Sequence, residues 1–324
     1  MVINQVEKDL IQYIKQRSKT PEGIPGLGIG DDAAFLLLSS MDEGKLIVST
    51  DSVIETVHYK REWCSYSDVA VKLVERASSD ILAKGGHPHW ALLNMNITEE
   101  FSRNKKLWGE FADAVCDHLK LHNIALIGGD IAKSPVNSFT MTVFGNASTF
   151  IRRVNPDIEA GDLLVVSGKV GASSSALDAW AGGKNPDEIL LAGYRRPQAC
   201  WDNQWLMELD AKASMDQSDS VMETLECLSS ENKIHLEIDL SKIPLSAGLE
   251  NYAPEDMARV ILKAAEDLAI FAIIPSGKLI EPGKFNQLAV IGKVASLQKS
   301  GLDFLLQNKP ITINSDSMAF YQHF

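Results

Sequence analysis

No apolar run of membrane-spanning length, no C-x-x-C pair and no surplus of basic charge occurs in this chain, and each absence removes a class of protein. The four cysteines, Cys64, Cys116, Cys200 and Cys227, are scattered, so neither a zinc knuckle nor a disulfide framework is expected and a reducing cytoplasm fits best. Thirty-one basic against 43 acidic side chains give a net charge of −12, which argues against a general nucleic-acid binder. The N-terminal segment carries charge throughout and lacks the apolar stretch of a signal peptide, so no membrane association is expected. G-x-x-x-x-G-K-[ST], the nucleophile elbow and H-E-x-x-H are missing, and GLGIGDD lacks the strand-turn-helix setting of a dinucleotide loop. A nucleotide would need some other scaffold.

Within 324 residues, 45% apolar and 23% charged, there is enough chain for two domains with a substantial core. Val6, Leu10, Ile11 and Ile14 share one helical face over residues 4–17, with Asn4 and Glu7 spaced as a capping box. Further helices are predicted over 67–84, 104–122, 172–180, about 197–211, up to about 229 and 254–265. Strands are predicted over 33–38, 45–50, 90–97, 123–127, 139–147, 162–167, 234–240, 268–274 and 287–294. Because many neighbouring strands are joined by short turns, the pattern favours an α+β fold with mixed sheets over a doubly wound one. A charged, proline-containing connection from Ile151 to Gly161 suggests domains of 1–150 and 151–324.

Acids recur where apolar segments end. GIGDDAA at 28–34 places Asp31 and Asp32 beside flexible backbone; STD at 49–51 supplies Asp51, and Asp80 lies in the last turns of a helix stopped by Gly85 and Gly86. A carboxylate there opposes the helix dipole and asks for a compensating partner. GGD at 128–130 adds Asp130, and MDQSD at 215–219 adds Asp216 and Asp219. Mg²⁺ takes oxygen ligands, keeps several waters and uses one or two carboxylates beside substrate phosphates, so acids on several separate loops suit it. Asp is also an ordinary cap or turn residue, which is the plain reading of each one alone. His58 is a candidate contact for an anionic or aromatic substrate, while His87 and His89 read as loop residues. Arg195 and Arg196 have the geometry of phosphate clamps, with a solvated turn as the alternative. Three serines opening the helix at 173–175 form an N-terminus suited to an anion, and Phe320, Tyr321, His323 and Phe324 suggest a docked C-terminus.

GIGDDAA, STD followed by His58, SSDILAKGG, GGD, GDLLVVSGKVG, MDQSD, AED and the terminal HF together resemble the thiamine-monophosphate kinase family. That family shares a superfamily with aminoimidazole ribonucleotide synthetase and selenophosphate synthetase. The resemblance implies two α/β domains, an N-terminal mixed sheet that closes a barrel in a homodimer, and ATP near the domain junction. It implies ATP- and Mg²⁺-dependent phosphorylation of thiamine monophosphate to thiamine diphosphate without a phosphoenzyme. Asp31, Asp32, Asp51, Asp80, Asp130, Asp216 and Asp219 would be metal ligands, Asp130 and Asp219 being also the catalytic pair. Thr50, Gly129, Arg153 and Ser218 would contact the nucleotide, and His58, Glu266 and Phe320 the substrate. Two motifs depart from the family: SDG reads SDS with Ser220, and GGEDYEL reads AAEDLAI at 264–270. Those changes leave open a homologue that binds nucleotide or thiamine phosphate without turnover, or a sister ATP-dependent enzyme.

Overall fold

The computed structural model describes residues 2–17, 26–27, 35–36, 45–249, 254–278, 284–285 and 287–313. The chain divides into two compact units, residues 1–81 with 86–149 and residues 82–85 with 150–324. In the first unit, α1 (Val2–Arg17), β1 (Gly26–Leu27) and β2 (Phe35–Leu36) precede β3 (Lys45–Ile54) and α2 (Tyr66–Ala83). They are followed by β4 (His87–Ile97), α3 (Glu99–Arg103), α4 (Lys105–Leu121), β5 (Ala125–Lys133) and β6 (Ser138–Ala147). The sheet runs β3-β6-β4-β5, with β4 parallel to β5 and the other pairs antiparallel.

Strict alternation sets the two faces of this sheet. On β6, Phe139, Met141 and Val143 are buried, while Thr140 and Thr142 point the other way. Phe111 of α4 stacks on Phe139 with ring centroids 4.0 Å apart, so the apolar face lies under the helices. The opposite face leaves Leu46 and Val48 of β3 46% and 50% exposed. Gly85, at φ 74°, ends α2: its N–H donates to the Leu82 carbonyl and that of Gly86 to the Ile81 carbonyl, a left-handed cap that glycine makes without strain.

The second unit comprises β7 (Leu163–Ser167), α5 (Ala172–Ala181), α6 (Glu188–Arg195), α7 (Trp205–Glu208), β8 (Ala213–Asp216) and α8 (Val221–Asn232). It continues with β9 (Ile234–Asp239), α9 (Pro254–Lys263), β10 (Ile270–Ile274), β11 (Leu288–Leu297), β12 (Gly301–Leu306) and β13 (Lys309–Ile311). Its sheet has the order β13-β12-β9-β11-β7-β10-β8, antiparallel except where β12 meets β9. Alternate residues of the central strands enter two separate cores: Leu164, Val166, Phe271 and Ile273 in one, Val165, Ile270, Ala272, Ile274 and Trp205 in the other. Both faces are therefore covered, which explains why these strands read as nearly continuous apolar runs.

The mixed α+β architecture stands as expected, but several boundaries do not. β3 continues to Ile54 and β5 to Lys133, so Asp51 and Asp130 lie within strands instead of at their ends. Tertiary pairing overrides the turn signals here, because β6 and β4 offer full-length ladders alongside. The helix predicted over 197–211 is absent; α6 stops at Arg195 and only the four residues of α7 follow. Pro197 accounts for the end of α6, since the residue before proline is driven out of the helical region and Arg196 sits at φ −136°, ψ 69°. His87 and His89 are in β4, not in a loop, and His89 Nε2 lies 2.7 Å from Asn146 Oδ1.

Candidate active site

In the first unit the acids are placed by the register of β3 against its neighbours and by the helix that covers it. Ser49 and Asp51 alternate with the exposed Thr50, so both turn toward α2. There the Ser49 hydroxyl donates to Asp80 Oδ2, and Arg76 Nη2 stands 3.4 Å from Asp51 Oδ1. Arg76 is 7% exposed and Asp51 24%, so this pair is partly shielded from water. Asp51 and Asp80 thus both lie at the β3–α2 seam, Asp80 held by Ser49 and Asp51 beside Arg76. Two carboxylates and a hydroxyl are oxygen donors of the kind a hard cation such as Mg²⁺ takes, with the Arg76 guanidinium beside them. The partner that Asp80 needs at the C-terminal end of α2 is supplied in part by Ser49.

Thr50 and Ser52 project from the other face, where Thr50 Oγ1 lies 3.0 Å from Thr142 Oγ1 and Ser52 Oγ 2.7 Å from Thr140 Oγ1. One cross-strand row runs Asp51, Met141, Leu93, Gly129, which puts Asp51 and Gly129 on the two outer strands. Three strand steps amount to about 14 Å along the sheet. Asp130, exposed and opposite Asn94, is one residue beyond that row. Since Mg–O bonds are about 2 Å, one ion cannot bind both Asp51 and Asp130 of this chain. Gly129 has φ 157°, and a Cβ built on it would meet the Leu93 carbonyl oxygen at 1.8 Å. The GGD glycine is therefore required by close approach of β5 to β4.

His58 lies in the turn after β3, where its Nδ1 accepts from the Ile54 N–H at 3.1 Å. A backbone N–H can only donate, so Nδ1 is the unprotonated nitrogen and Nε2 carries the hydrogen. The His58 carbonyl in turn accepts from Lys72 Nζ at 3.2 Å, which anchors the turn to α2. Asp31, Asp32 and Phe320 lie outside the described residues.

In the second unit the MDQSD and AAEDLAI segments lie side by side, fastened by Gln217. Its fully buried side chain donates to the carbonyls of Ala264 (2.7 Å) and Asp219 (2.8 Å) and accepts from the Asp267 N–H (3.2 Å). Its backbone adds bonds to Ala269 and Leu268, and the Glu266 N–H donates to the Ser218 carbonyl at 3.1 Å. Asp216 ends β8, and Ser218 and the exposed Asp219 follow on the loop. Ser220 then caps α8: it accepts from the Glu223 N–H while Glu223 reaches back, a complete capping box at φ −64°. The position held by glycine in SDG therefore demands no backbone freedom in this chain. Nor do Ala264 and Ala265 bear the loop's strain, because the left-handed residues are Glu266 (φ 58°) and Leu268 (φ 59°).

The serine-rich start of α5 is occupied by a carboxylate of the chain itself. Asp267 accepts from the Gly171 N–H at 2.7 Å and the Ser173 N–H at 3.3 Å, and Ser174 Oγ bridges the Lys263 carbonyl and the Ala265 N–H. Burial pushes the Asp267 carboxyl up to about 7, against the pull of those N–H groups. Beside this knot lies a cavity of about 620 Å³ lined by Lys169, Arg196, Gln198, Trp201 and Asp267 among others. Two cations and an indole around one cavity suit a ligand with an anionic and an aromatic part. Arg196 reaches it, whereas Arg153 instead pairs with Glu231 at 2.7 Å. In the sequence Asp267 is marked only within the AED motif, and neither Gln217 nor Arg76 is assigned a role. No spacing marks Gln217 or Arg76, although the charge of Arg76 amid the apolar positions of α2 was a usable signal.

Comparison with known proteins adds an independent line. The family profile AIR synthase related protein, N-terminal domain, matches residues 30–147. Thiamine-monophosphate kinase of Aquifex aeolicus is 30% identical over 228 residues, 69% of this chain and 72% of that protein. The enzyme of that name from Haemophilus influenzae is 28% identical over 96% of both chains. Among solved structures, thiamine-monophosphate kinase from Stenotrophomonas maltophilia K279a superimposes with a TM-score of 0.78 at 25% identity, covering 93% of this chain and 96% of that one.

Proposed function

The chain belongs to the thiamine-monophosphate kinase family, and on that premise we propose that it transfers the γ-phosphoryl group of ATP to thiamine monophosphate, giving thiamine diphosphate, with Mg²⁺ ions held by its aspartates. The observation that carries this reading is that Asp51, Asp80 and Ser49 all lie at the seam between β3 and α2, Asp80 bonded to Ser49 and Asp51 beside Arg76. Phosphoryl transfer asks little covalent chemistry of a protein; alignment of donor and acceptor phosphates and neutralisation of their charge supply most of the rate. Bound Mg²⁺ supplies that neutralisation. In the first unit Asp51 and Asp80 would hold one cation and Asp130 a second on the far strand; in the second unit Asp216, at the end of β8, and Asp219, on the loop that Gln217 pins, would offer further carboxylates. Arg76, beside Asp51, balances part of its charge. Thr50 in the first unit and Ser218 in the second are the hydroxyls proposed for the nucleotide, and His58 and Glu266 are the contacts proposed for thiamine.

Purified protein incubated with ATP, Mg²⁺ and thiamine monophosphate is expected to form thiamine diphosphate, detected by chromatography. Intact ATP binding with no product sinks the kinase reading. A second reading, a homologue that binds without turnover, draws on the Arg76 guanidinium beside Asp51, a cation already in place of a metal. Arg76→Met separates the two: it leaves an inactive binder inactive, whereas in a kinase it changes the Mg²⁺ requirement of turnover.

We also propose a homodimer closed through the uncovered sheet face. Leu46 and Val48 are apolar and about half exposed on β3, an outer strand of the sheet among the described residues, where solvent contact is unfavourable. Val48→Glu is expected to shift the protein to the monomer mass in light scattering; an unchanged mass removes this face from the interface.

A further inference from the structure

Away from the aspartate seam, α2 and α4 bring together a second set of ligating side chains with different chemistry. Glu75 of α2 is buried, its side chain 4% exposed, and two imidazoles approach the same oxygen. His118 Nε2 is 2.6 Å from Glu75 Oε1 and His122 Nε2 is 3.6 Å from it. His118 lies in the last turn of α4 and His122 is its C-cap, so the two stand one turn apart on one face of the helix. Their rings meet edge to face at 5.0 Å, each is only about one-sixth exposed, and the three ligand atoms lie within 4.8 Å of one another.

We propose that Glu75, His118 and His122 form a binding site for a zinc-class divalent ion, separate from the Mg²⁺ positions. Two imidazole nitrogens and one carboxylate oxygen are the donor set of a three-ligand zinc centre, with the fourth position open to water. Mg²⁺ prefers oxygen and has no claim on such a set. Zinc bonds of about 2.0–2.1 Å place tetrahedral ligands roughly 3.4 Å apart. The His122 distance already matches, and His118 reaches it by withdrawing less than an ångström from Glu75. A bound ion also supplies positive charge to a carboxylate that the fold has taken out of water. The consequence is a tie between α2 and α4, in the same helix that carries Arg76 and Asp80.

This proposal is independent of the phosphoryl-transfer reading and is tested without it. Purified full-length protein is stripped with chelator, dialysed and titrated with Zn²⁺ or Co²⁺ alone. One equivalent of Zn²⁺ per chain is expected, with a rise in the unfolding midpoint that Mg²⁺ does not give. Co²⁺ is expected to show the visible absorption of a low-coordinate site. His118→Ala and, as a milder change at a partly exposed cap, His122→Gln are expected to abolish the stoichiometric binding, while Asp51→Asn retains it. Absence of stoichiometric Zn²⁺ binding in the wild type overturns the proposal, as does binding that survives His122→Gln and His118→Ala or disappears in Asp51→Asn. Should His118→Ala not fold, the His122→Gln titration decides alone.

Discussion

The two units hold their acids by opposite means. In the first, Asp51 and Asp80 are presented by a strand and a helix whose positions the sheet and its aromatic core already determine, and Ser49 and Arg76 merely orient them. In the second, Asp216 closes β8 and Asp219 stands on the loop that follows, and that loop is held by one buried amide side chain, a carboxylate at a helix start and a helix cap. The difference teaches where each half is vulnerable. A change in the first unit that preserves shape alters charge at the seam and leaves the fold in place, whereas a change in the second dismantles the geometry before it alters any charge.

The sharpest test of that contrast removes one charge from the seam. Asp51→Asn is expected to lower kcat/KM by about 10²–10³-fold, the scale of losing one preorganised electrostatic contact, with the unfolding midpoint nearly unchanged. A large fall in stability instead would show that the seam is structural. In the second unit, Gln217→Leu strands two buried carbonyls and one N–H, so a loss of about 2–4 kcal/mol in denaturant unfolding is expected. If Gln217→Leu unfolds no more easily than wild type, the loop is held by something else.

Titration gives a third, smaller test. The Asp267 carboxyl is pushed above its ordinary value of 3.8, so in the window from about 4 to about 7 the folded state holds a proton that the unfolded state has lost. That contribution to stability is complete below the lower value and declines as pH rises toward 7. Asp267→Asn is therefore expected to flatten the fall of stability with pH across this window; parallel profiles would contradict it. Smallest is the cap: Ser220→Ala should cost about 1 kcal/mol and Ser220→Gly only a few tenths. Equal losses for both would mean the hydroxyl is not what holds the start of α8.

Much of this was legible beforehand because the signals were local. Helical spacing located α2 and α4 within a residue or two, and the paired glycines gave the end of α2. The motifs also carried the family. What the sequence hid depended on partners far along the chain. Asp51 looked like a strand end since polar Ser49 and Thr50 precede it, yet β6 pairs through Ile54. Gln217 is one polar residue among several in MDQSD, and its importance exists only once Ala264 and Asp267 are beside it. The two glycines of GGEDYEL are missing from AAEDLAI, and the left-handed residues of this segment are Glu266 and Leu268. For His118 and His122 the four-residue spacing was visible, but nothing pointed to Glu75 forty-three residues earlier.

The absent side chain of Gly129 reaches further than the contact it avoids. A methyl group there would collide with the Leu93 carbonyl oxygen, so β5 can lie against β4 only while a glycine occupies that notch. Sliding β5 one step brings Asp130, with its Cβ, into the notch, which is forbidden. Sliding it the other way seats Gly128 instead, but turns every side chain of the strand to the wrong face. The second glycine of GGD thus acts as an indexing pin: it counts residues along the strand and delivers Asp130 to one address, opposite Asn94.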